Sequence, residues 1–182
     1  MGHFWRAPKS LFTENTLTPV LPLMLHRDRP TLRAVLRLWS VVLVSNLIGA
    51  LAISWVLADT SAFHPEVRRA FGEIGRDSLS VTSPLALLRG IFAGWLIAFM
   101  VWLLPSAEAF RIVVIVALTW LVGLGQLTHI IAGSVEALYM AAAGAVSYGQ
   151  VISGYMLPTL IGNIIGGVAL VAALNHAQVV SK

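Results

Sequence analysis

Apolar residues run through residues 34–58, 85–104 and 155–174 with few interruptions, and each run is long enough for one helical crossing, since about 20 residues span a hydrocarbon core of about 30 Å. Between the last two lies 112–147, whose only charged side chain is Glu136, although it also holds Gln126, His129 and several glycines. This stretch is too long for one crossing and too continuous for two crossings joined by a polar loop. It predicts one broken helix, and non-helical backbone at membrane depth is tolerated only where protein or a water-filled cavity satisfies its polar groups. Residues 11–25 are too short to span and open on Thr13-Glu14-Asn15-Thr16, so they read as the second half of another broken helix. A hydroxyl of Ser10 or Thr13 caps its start, Glu14 suits the first turn, and Pro19 and Pro22 kink the remainder.

The two breaks are related by a constant offset of 117 residues. LVSNLIGALA at 43–52 and LIGNIIGGVAL at 160–170 align Asn46 with Asn163 and Gly49 with Gly166, and the same offset carries Phe12 onto His129. Two related halves, each interrupted by polar residues at the same place, are the pattern of a channel or secondary transporter. The offset also leaves gaps. The partner of helix 85–104 would fall before residue 1, and residues 1–10, MGHFWRAPKS, read as neither a signal peptide nor a membrane half-helix. The expectation is therefore a chain lacking its first helix and part of its second, through a truncated gene, a wrongly assigned start or an upstream frameshift.

Basic residues set the orientation. Arg27, Arg29, Arg33 and Arg37 collect with only Asp28 opposing them at the connection that leads into the first apolar run, which places that loop in the cytoplasm. The connection 59–84 is balanced in charge and belongs outside, with FHPEVRRAFGEIG as a short interfacial helix. The loop around Glu108 and Arg111 and the tail ending at Lys182 then return to the cytoplasm.

Composition agrees with a membrane protein: 58% of the 182 residues are hydrophobic and 11% charged, and the mean hydropathy is +0.84, too little polar surface for a soluble domain of this size. The absence of cysteine excludes disulfides, thiolate metal sites and a cysteine nucleophile. The net charge of +4 reports loop placement, and nucleic acid is not an expected partner. No pair among the five histidines has metal-ligand spacing with carboxylates nearby, so neither metal nor cofactor is expected. No nucleophile–base pair or cofactor motif marks an enzyme. Tryptophans and tyrosines read as packing groups and interfacial anchors.

With these elements placed, the chain resembles the formate/nitrite transporter family from residue 11 to about residue 177. The motifs that carry the resemblance are LFT at 11–13, RLWSVVLVSNLIGAL at 37–51, RGIFAGWLIAFMVW at 89–102, HIIAG at 129–133 and PTLIGNIIGG at 158–167. The resemblance implies an all-α membrane protein with an aquaporin-like inverted repeat and broken helices. It also implies homopentameric assembly among membrane lipids, one anion pathway per protomer, and a multi-pass place in the bacterial inner membrane, and the alternation of charged loops puts the C-terminus in the cytoplasm. On its own, a membrane histidine is as often an interhelical hydrogen-bond partner as a functional group, and its position at the break favours function. The resemblance puts the family's central histidine at His129 and the opposing threonine at Thr13. Leu11, Phe12, Ile97 and Val122 fall where the family lines its constrictions, although each alone reads as ordinary helix packing.

Such a site would move a small monovalent anion past an apolar constriction. A charge at the bilayer centre costs from about 2.5 to above 10 kcal/mol, and a weak acid avoids much of this by accepting a proton. His129 could hold the anion as imidazolium or hand it that proton, with Thr13 orienting the ring. Departures from the family pattern leave the substrate open: Gly94 and Gly133 stand where many relatives have asparagine, and Thr128 where many have glutamate. Arg89 and Glu136 form a candidate outer ion pair, against an equally weighted structural role for the carboxylate. Asn46 and Asn163 read as structural hydrogen-bonding groups between the halves rather than substrate ligands. Two further readings stand beside the anion channel: a non-conducting membrane fragment, and a neutral-solute channel of the same architecture.

Overall fold

In the computed structural model, which describes Leu23 and residues 28–180, every regular element is helical. Helix α1 (Arg29–Asp59) begins ahead of the apolar run because Asp28 caps it, its carboxylate accepting from the Thr31 N–H at 2.8 Å, and Pro30 suits the first turn. Helix α2 (Pro65–Leu79) contains most of the sequence expected to form the interfacial helix, and α3 (Ser83–Leu103) comes next. A 3-10 turn at Glu108–Phe110 leads into α4 (Arg111–Leu124), which is separated from α5 (Ala132–Ala142) by a break. The last membrane element begins as α6 (Tyr148–Val151), passes through a π-helical segment at Ile152–Met156 and continues as α7 (Leu157–Val180). Among the described residues, three helical stretches, Arg29–Asp59, Ser83–Leu103 and Tyr148–Leu170, are long and apolar enough to cross a membrane. The protein is an all-α membrane protein.

The broken segment has a local cause at each end. Gln126 takes a left-handed φ of 47°, and around it the Gln126 N–H reaches the Gly123 carbonyl at 3.0 Å while the Leu127 N–H reaches back to Val122 at 2.9 Å. That pair of bonds closes a helix C-terminus and turns the chain away. The same device ends α5, where Gly144 has φ 74° and the Ala145 N–H bonds to the Met140 carbonyl at 3.0 Å. At 14 and 11 residues, α4 and α5 are about 21 and about 16 Å long, so neither crosses a bilayer alone. Ser147, placed by the apolar pattern at the end of the broken segment, instead starts the next helix through a capping box with Gln150.

The tightest packing joins α3 to α7, and glycine makes it possible. A Cβ on Gly94 would lie 2.3 Å from the Asn163 carbonyl oxygen, and one on Gly166 would lie 2.0 Å from that of Ile91. The two small-xxx-small motifs, Gly90/Gly94 and Gly162/Gly166, therefore bring backbone against backbone. On the other side, Ser54 of α1, fully buried, donates to the Val135 carbonyl of α5 at 2.9 Å. Helix α2 rests on α5 through Gly75, with the Phe71 and Tyr139 rings 5.8 Å apart. Helix α4 buries no residue fully, and Ile112, Val113 and Trp120 are exposed, as side chains bathed in lipid tails can be.

Candidate functional site

The backbone between α4 and α5 has no helical ladder to satisfy it, and three side-chain ties hold it against α3 and α7. The Thr128 hydroxyl donates to the Ala86 carbonyl at 2.7 Å. The Asn163 amide donates to the carbonyls of Gly90 at 2.9 Å and Thr128 at 3.0 Å, and its oxygen accepts the Ile130 N–H at 2.9 Å. Asn163 is completely buried, so it stitches the break to α3 from within the core, the structural role its small-residue motif implies.

His129 sits in this stitched segment and is buried to 9% exposure. Its Nδ1 accepts the backbone N–H groups of Ile131 and Ala132, both at 3.3 Å, satisfying donors at the start of α5 that a helix leaves without partners. An imidazole nitrogen that accepts must present its lone pair, so the neutral ring carries its proton on Nε2. The histidine thus caps a half-helix through Nδ1.

Beside it is a cavity of about 880 Å³ whose wall includes His129, Ile97 of α3 and Val122 of α4, along with Arg89, Glu136 and Tyr155. Five of the residues selected from the sequence are therefore brought to one space. Leu11, Phe12 and Thr13 lie outside the described residues. Arg89 and Glu136 share the cavity wall without an ion pair between them among the described residues, and Glu136 takes a hydrogen bond from the Ser78 hydroxyl of α2. Thr128 also lines the cavity, but its hydroxyl is already directed to Ala86.

Sequence reasoning missed Tyr155 and Ser78. The signal for Tyr155 was weak: it lies at the start of the apolar run and reads as an interfacial aromatic, whereas a π segment carries it into the core. Gly133 gave a better hint. A Cβ there would lie 1.9 Å from the Tyr155 hydroxyl, so this glycine leaves space for another side chain's polar tip.

A family model described as formate/nitrite transporter matches residues 7–177. The chain belongs to the formate/nitrite transporter family. It is 43% identical over 173 residues to the inner membrane protein YfdC of Escherichia coli strain K12, covering 95% of this chain and 56% of that protein. It is 28% identical over 148 residues to the uncharacterized transporter YrhG of Bacillus subtilis strain 168, covering 75% of this chain and 52% of that one. The chain thus spans about half the length of the curated relatives it matches. No solved structure matches it. Family membership and apolar helices together place the protein in a membrane.

Proposed function

We propose that this protein is a membrane transporter for small monovalent anions such as formate or nitrite, and not an enzyme, with the anion passing His129 in the cavity between α3 and the broken segment. The observation that carries this reading is the convergence of His129, Ile97 and Val122 on one cavity, in a chain of the formate/nitrite transporter family. Two apolar side chains restrict what enters, and the imidazole beside them gives a dehydrated anion a polar neighbour. Arg89 brings a guanidinium to the same space, alongside the carboxylates of Asp77 and Glu136. Thr13 opposite the ring, with Leu11 and Phe12 as a second constriction, completes the proposed pathway.

The same reading includes a multi-pass arrangement in the inner membrane, a cytoplasmic C-terminus and a homopentamer. The exposed apolar face of α4 would meet lipid or a neighbouring protomer. Proton coupling through His129 belongs to the proposal as well.

The test is uptake of formate and nitrite into liposomes from about pH 5 to about pH 8, the interval in which a histidine changes charge, comparing the parent chain with His129→Ala. Uptake that is abolished, or loses its pH dependence, in His129→Ala supports the anion pathway. Uptake of neutral solutes alone, indifferent to His129, would replace it with a neutral-solute channel. No flux of either kind would leave a non-conducting membrane protein.

A further inference from the structure

Tyr155 is 3% exposed, part of the core cluster that also holds Ala50, Ile130 and Ala137, and yet it reaches the cavity wall. A buried phenol hydroxyl ordinarily has a hydrogen-bond partner, but this one makes no hydrogen bond to a described residue. The hydroxyl lies 1.9 Å from where a Cβ on Gly133 would be, so it takes the space a side chain at residue 133 of α5 would fill, four residues after His129. Glu136, the carboxylate in the same cavity, accepts instead from Ser78.

The backbone around Tyr155 departs from a regular helix in the way that aims it. Within the π segment Ile152–Met156 the Leu157 N–H bonds to the Ile152 carbonyl, one residue further back than in an α-helix. The inserted residue rotates the turn before it by about 100° relative to the helix after it. Ser83 at the start of α3 donates to the Gly154 carbonyl at 3.1 Å, giving a carbonyl of this segment a partner on a neighbouring helix.

We propose that the Tyr155 hydroxyl is a substrate-binding group of this cavity, donating a hydrogen bond to an oxygen of a small carboxylate or nitrite held beside His129, an inference that rests on the anion-pathway reading. A phenol suits the task because it offers a donor with no charge of its own, so it binds the anion without trapping it as a second cation would. The rigid ring, clamped in the core, places the donor at little entropic cost.

The decisive experiment separates binding from transport. Formate and nitrite are titrated against the purified full chain and Tyr155→Phe, following thermal stabilisation in detergent, and uptake is measured in parallel. Tyr155→Phe keeps the ring packing and removes only the donor. The expected result is a rise of about ten-fold or more in the half-saturating anion concentration, in the range for a lost hydrogen bond to a charged partner, with the anion-free melting temperature little changed. A second pair, Tyr155→Leu and Tyr155→Leu with Gly133→Asn, tests rescue: an amide placed at the same point should restore part of the affinity. Equal half-saturation for parent and Tyr155→Phe overturns the inference even if uptake is robust, as does absence of anion binding by the parent. Tyr155-dependent binding in a chain that carries no flux would sustain the inference and sink the transporter reading.

Discussion

Replacing Asn163 by alanine tests whether the break at His129 is held from α7. The substitution removes three hydrogen bonds, to the carbonyls of Gly90 and Thr128 and from the N–H of Ile130, at a position with no solvent exposure. The Gly90 carbonyl lies in a helix and keeps its own ladder, so its loss is worth about 0.6 kcal/mol, the average for a side-chain bond in a membrane protein. The Thr128 carbonyl and Ile130 N–H lie in the break, and each unsatisfied buried group costs about 1–3 kcal/mol. Together the effect is about 3–7 kcal/mol. Thr128→Val calibrates it, since it removes one bond to a helical carbonyl while keeping the side chain's shape, and should lose about 1 kcal/mol. Reversible unfolding in mixed micelles with increasing dodecyl sulfate, followed by helical circular dichroism, gives both values on one scale. If Asn163→Ala loses no more than Thr128→Val, the break is held by something other than this amide, and its role as a stitch is refuted.

Gly166→Ala should be poorly tolerated, because the new Cβ would lie 2.0 Å from the Ile91 carbonyl. α3 and α7 must then separate, and a loss of about 2 kcal/mol or more, or failure to accumulate in membranes, is expected in the same unfolding assay. Ser54→Ala removes the tie from α1 to the Val135 carbonyl and should cost about 1 kcal/mol by that assay. Gly133→Ala forces the Tyr155 hydroxyl to move, so it should weaken anion binding in the titration as Tyr155→Phe does, though with a larger drop in melting temperature.

The broken segment was legible because membrane thickness leaves few ways to place residues 112–147, whose one charged side chain is Glu136. Its internal geometry was less so. Gln126 holds the left-handed turn that glycine ordinarily supplies, and nothing local marks a glutamine for that role. The start of the last helix was written in the Ser147/Gln150 capping box, but hydropathy masked it: the apolar run becomes continuous only at Tyr155. His129, Ile97 and Val122 came from motif order, and one cavity collects them. Tyr155 escaped because its role depends on a π segment and on the absence of a side chain at residue 133, both properties of packing between helices rather than of either helix alone.

Polar residues near the break differ in how much of their hydrogen-bonding capacity the backbone already takes. Asn163 has two amide donors and one acceptor, and all three functions are engaged within the core. Thr128 borders the cavity, but its hydroxyl proton is directed to Ala86. Both are polar without being available, which is what a chain needs where non-helical backbone sits at membrane depth. His129 divides its two nitrogens, since Nδ1 secures the first turn of α5 while the neutral ring carries its proton on Nε2. A second proton would have to enter at Nδ1 and displace the two backbone bonds there. The charge state of the ring and the seating of the first turn of α5 therefore meet at Nδ1, at the start of the half-helix that carries Gly133 and Glu136.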